Sequence, residues 1–112
     1  MVLYAVVIFL LAAVGGLYMA ARIFGGAVPP VFVAVAHGAL AATALVMVIL
    51  AAMASDAVPL VKYGAGALFV AALGGFFLLS FHLRKVPHPK GVVVLHALLA
   101  VTGVALLGLT LI

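Results

Sequence analysis

Four histidines, His37, His82, His88 and His96, are the side chains of this chain that can both ligate a metal and exchange a proton near neutral pH. Cysteine is absent, which removes disulfides, iron–sulfur clusters and thiolate zinc sites. Asp56 is the single acid, so paired-carboxylate acid–base chemistry is excluded as well. Imidazole chemistry is what is left. His37 follows Pro30 by seven residues and His96 follows Pro89 by seven, about 10 Å along a helix that starts at either proline.

The same two histidines coincide under an internal repeat. A shift of 59 residues aligns unit 1–53 with unit 60–112, without a gap. Gly15-Gly16 falls on Gly74-Gly75, Pro30 on Pro89, His37 on His96, Thr43 on Thr102 and Tyr4 on Tyr63. Within Pro30–Thr43, seven of fourteen positions are identical. Matching Ala, Val and Leu means little in so biased a chain, whereas Tyr, paired Gly, Pro, His and Thr in one register do not align by accident. A duplicated two-helix hairpin accounts for it.

The elements that must position these residues follow from composition. Of 112 residues, 71% are hydrophobic and 5% are charged, where soluble domains carry roughly a quarter. So few polar groups cannot cover a globule, which excludes a soluble domain and a disordered chain. Five cations spread along the chain form no patch for nucleic acid. A bilayer core takes about 20 apolar helical residues, and four stretches meet that length: 2–24, 30–54, 59–83 and 91–112. Gly, Pro and the few polar residues separate them. Alternating polar positions, as in a barrel strand, are missing. The fold class is therefore all-α, an integral membrane four-helix up-down bundle in a single transmembrane domain. Each unit contains an even number of spans, so the two hairpins form a parallel repeat, with helices two and four equivalent and His37 and His96 at one depth.

Cations set the orientation. Arg22, Arg84, Lys85 and Lys90 flank the first and third loops, against Lys62 alone on the other side. Both termini are expected outside, in what composition suggests is a bacterial cytoplasmic membrane. The first span lacks a basic leader and reads as a retained helix.

An imidazole at membrane depth is costly unless it faces the bundle and finds a partner. The spans contain no carboxylate, Asn or Gln to supply one. A metal at one ring nitrogen, with the other donating to a carbonyl, satisfies both. Zinc or copper wants three or four ligands. A chlorophyll-type pigment takes one histidine per ring, but Val33 and Val92 stand where light-harvesting proteins have Ala. One haem b between helices two and four needs the two histidines present, with Arg22, Arg84 and Lys85 on the same side as candidate partners for its carboxylates. Ala34, Ala41 and Ala44 beside His37, and Ala100 and Gly103 beside His96, leave space for a planar group, and equally suit close helix packing. His82 and His88 read as solvated interfacial histidines, with a quinone or proton-relay role for His82 as the alternative.

Intramembrane histidines on separate helices, with basic residues on one side, make the chain similar to small haem-b membrane cytochromes. These are the cytochrome b561-like bundles and the membrane anchors of succinate dehydrogenase and fumarate reductase. The resemblance implies a bis-histidine haem and electron transfer with a quinone or a larger membrane complex as partner. Cytochrome b561-like proteins commonly hold two haems on four histidines, whereas two histidines at membrane depth imply one. Small multidrug transporters share the length and span count but use a membrane glutamate, and this chain has no Glu. The remaining expectation is a cofactor-free accessory subunit, whose histidines only bond helix to helix. Stand-alone enzyme activity is the less expected role.

Overall fold

The computed structural model describes residues 1–112 as four α-helices: α1 (Val2–Phe24), α2 (Val31–Ala52), α3 (Pro59–Arg84) and α4 (Lys90–Leu109). All four are long and apolar enough to cross a membrane. The bundle is 45 Å long, matching a bilayer of about 40–45 Å with its headgroups. Two helices stop short of the expected ends. α2 gives way at Met53, ahead of the turns around Ser55 and Asp56. At the end of α4 the Thr110 hydroxyl donates to Leu107 O at 2.6 Å and competes with a further helical turn.

α1 and α3 end alike. After α1, Ala27 N–H donates to Arg22 O and Gly26 N–H to Ile23 O, with Gly26 at φ 88°. After α3, Val86 N–H donates to Phe81 O and Lys85 N–H to His82 O, with Lys85 at φ 56°. Both are Schellman closures, but the second places lysine where the first has glycine. A side chain in the left-handed region costs roughly 1–2 kcal/mol.

The helices pack as a ring, α1 on α2, α2 on α3, α3 on α4 and α4 on α1, so that α2 faces α4 across the diagonal. The hairpins close through small residues. Ala5 and Ala44 are fully buried between α1 and α2. Gly64 and Gly103 hold the equivalent positions in α3 and α4, where a Cβ on either would stand 3.1 Å from the other's carbonyl oxygen. Two buried clusters fill the ends. One joins Phe9, Val48, Leu68 and Leu107 near the chain termini, and the other joins Ile23, Leu78 and Val93 near the first and third loops. Between them, at the level of the glycine pairs, the core is open.

Candidate functional site

A cavity of about 840 Å³ occupies this middle layer, within the usual ligand-pocket range of about 300–1,000 Å³. Its lining is apolar, apart from four side chains: His37, His96, His82 and His88. A smaller recess of about 130 Å³ also touches His37 and His96, against residues of α1 and α4.

His37 projects from α2 and His96 from α4, and each is tied to the neighbouring helix of its own hairpin. His37 Nδ1–H donates to Ala12 O, and His96 Nδ1–H donates to Ala71 O, both at 2.7 Å. Ala12 and Ala71 are themselves related by the 59-residue shift. A carbonyl oxygen can only accept, so both Nδ1 atoms carry the proton and each neutral ring keeps its lone pair on Nε2. Neither Nε2 has a hydrogen-bond partner.

The glycine pairs set how the rings lie. A Cβ on Gly16 would come within 3.1 Å of His37 Cε1, and one on Gly75 within 3.3 Å of His96 Cε1. Each imidazole therefore lies against bare helix backbone, closer than an alanine at either site would comfortably permit. The two ring centroids are 6.3 Å apart with the planes at 72°. This is an edge-to-face arrangement, at a separation within the roughly 4.5–7 Å of paired rings.

His82 and His88 overturn the expectation of solvated interfacial residues. Their exposures are 5% and 6%, and His88 Nε2 lies 2.8 Å from His82 Nδ1 in a hydrogen bond. His82 Nδ1 also lies 3.3 Å from Leu78 O. In the short connection between α3 and α4, Lys85 and Pro87 are exposed while His88 between the prolines is buried. Burial, and then the charge of neighbouring His82, hold the His88 imidazole below its usual pKa. Under the repeat His82 aligns with Ile23 and His88 with Pro29, and the structure buries both of those as well.

The predicted cations stand apart from the cavity. Arg22 is exposed, with its guanidinium 6.0 Å from the Tyr18 ring centroid. Arg84 donates to Ser80 O and Ser80 Oγ and lies 4.5 Å from the centre of the Phe81 ring. Lys85 caps α3 with its side chain exposed. None of the three lines the cavity. Nor does any cluster of three or more His, Cys, Asp or Glu exist that could hold a bare metal ion. Among known proteins, no family model, curated protein or solved structure matches the chain.

Proposed function

We propose that the chain crosses a membrane four times as two parallel-repeat hairpins and holds one haem b between α2 and α4, with His37 and His96 as axial ligands, for electron transfer to a quinone or a partner protein. One observation supports this above the rest. Two Nε2 lone pairs share one cavity, and neither has a donor. Two acceptors cannot bond each other, and an electron-pair acceptor between them satisfies both. Metal–imidazole bonds of about 2.0–2.1 Å, lengthened by roughly 1.1 Å from Nε2 to each ring centre, put two opposed ligands about 6 Å apart between centroids. The observed separation is 6.3 Å, compatible with this spacing and also with the edge-to-face contact of the two rings themselves. A bare ion lacks the further ligands it wants, while a tetrapyrrole supplies four of its own.

When bound, such a group takes up and releases single electrons. What the chain does is hold and shield. Ala12 O and Ala71 O fix each ring's tautomer and raise the basicity of Nε2. Gly16 and Gly75 let the imidazoles lie flat against α1 and α3, and the apolar lining keeps water from the site. Loops one and three, with Arg22, Arg84, Lys85 and Lys90, lie on the cytoplasmic side.

An absorption spectrum of protein made with ample haem supply tests this. Wild type is expected to show reducible Soret and α bands. His37→Ala and His96→Ala are each expected to hold about tenfold less haem per chain or lower, since even outer partners of a ligand change affinity about 10–100-fold. A folded, colourless wild type would sink the haem reading and leave an accessory subunit whose histidines join helices, each such bond worth about 0.6 kcal/mol.

A further inference from the structure

The cavity has a second polar end. His82 and His88 are more than nine-tenths buried, and their mutual hydrogen bond uses one nitrogen of each. The outer nitrogens, His82 Nε2 and His88 Nδ1, are buried with no partner. Orphaned buried polar atoms of this kind call for a cause. Packing is not the cause, because the first hairpin fills the same two positions with Ile23 and Pro29, buried and apolar. Between them, Lys85 accepts the left-handed backbone that Gly26 adopts freely. The segment 82–88 is where the second hairpin departs from the first.

Proton counting indicates what the pair recognises. Two neutral imidazoles carry two N–H protons, and one of these lies between the rings. One outer nitrogen is then a donor and the other a bare lone pair. A third proton makes both outer nitrogens donors around one positive charge, the complement of a carboxylate. Proton and carboxylate together are neutral, so an apolar site accepts the two jointly where it rejects either alone.

The pair also has the right placement. His82 stands seven residues beyond Gly75, the residue on which His96 lies, or about 10 Å along α3. His82 and His88 both border the cavity, and because neighbouring atoms cover their outer nitrogens, a side-chain rotation must open these to a carboxylate. Both histidine pairs line one cavity, and no Lys or Arg does.

We infer that His82 and His88, sharing one added proton, form a carboxylate-binding site at the loop end of the cavity, and that the carboxylate is a propionate of the haem held by His37 and His96. This rests on the haem reading. It moves the carboxylate partner from the exposed Arg22, Arg84 and Lys85 to a buried pair.

Titration of the purified haem-free chain with haem b and with its dimethyl ester, followed in the Soret band, tests the assignment. Wild type is expected to bind haem about tenfold or more tightly than the ester, the scale of a buried hydrogen bond to a charged group. His82→Ile combined with His88→Pro copies the first hairpin, and should bind both porphyrins equally while keeping the bis-imidazole spectrum. His88→Gln keeps a polar side chain that cannot take the proton, and should lose the preference too. Arg22→Gln, Arg84→Gln and Lys85→Gln together should retain it. Equal binding of the two porphyrins by wild type, a preference that survives in the histidine variants, or one lost in the triple cation variant would each overturn the carboxylate site while leaving the haem reading intact. Wild type that binds neither porphyrin would end the haem reading, and this inference with it.

Discussion

At the scale of single residues, neighbouring hydrogen bonds decide what each histidine can do. Ala12 O and Ala71 O turn His37 and His96 into fixed lone-pair donors, whereas His82 and His88 spend their inner nitrogens on each other. The second arrangement has a consequence for acid stability. In the folded chain the His88 pKa lies below its usual value of about 6.5, first through burial and then through His82. Well above pH 6.5 the ring is neutral whether the chain is folded or not, and it contributes no pH dependence. As pH falls through 6.5 toward the folded value, the unfolded chain takes up the proton first, so stability is lost. Haem-free protein in detergent is therefore expected to keep a level unfolding midpoint from pH 8 to 7 and to show a falling one from about 6.5 downward. His88→Gln should flatten that fall. A wild-type midpoint that rises on acidification would show that the ring is not held neutral by its surroundings.

At the scale of elements, the hairpins are held by close backbone approach rather than by large side chains. In a bilayer, where the proposed function places the chain, lipid offers apolar side chains no less than a neighbouring helix does, so van der Waals fit decides which helices pair. Gly64 and Gly103 bring α3 and α4 together, and a Cβ on Gly103 would stand 2.5 Å from Leu68 Cγ and 3.1 Å from Gly64 O. Leu68 can move but the carbonyl cannot without parting the helices. Gly103→Ala is thus expected to destabilise the bundle by about 1–3 kcal/mol, measured by denaturant unfolding in mixed micelles, while Gly108→Ala, which meets nothing, changes little. Equal effects at the two sites would mean the helices do not meet at Gly103. Much of this level was legible beforehand. The long apolar runs gave four helices with ends within three residues of those observed, because a span's length is set by what must be kept from water. The duplication placed His37 and His96 on equivalent helices. Which side of each helix faces inward was not legible, since α2 and α4 are apolar all round and carry no polar stripe. His82 and His88 were misread because the prolines and cations near them suggested solvent, and only the structure shows that their counterparts Ile23 and Pro29 are buried too.

At the scale of the whole molecule, duplication and charge act on different axes. The 59-residue repeat places His37 and His96 at matching sequence positions, and the bundle brings both to the lining of one cavity. No such match relates the two ends. One end carries Arg22, Arg84, Lys85, Lys90 and the buried histidine pair, and the other carries Asp56 and Lys62. Both hairpins insert with the same sense only if each crosses an even number of times, so their basic loops add to one bias instead of cancelling. On the proposed reading, four cations against one direct loops one and three to the cytoplasm. The absence of native cysteine makes the consequence directly measurable with single thiols. Ser55→Cys, exposed in the second loop, should react with a membrane-impermeant maleimide on intact cells. Gly25→Cys, exposed beyond α1 with φ −81°, should react only after the membrane is opened. The reverse pattern would invert the orientation and place the His82–His88 end of the cavity on the outer face. Labelling of both sites on intact cells would deny that the first two helices cross as a hairpin at all, and with it the common depth that lets His37 meet His96.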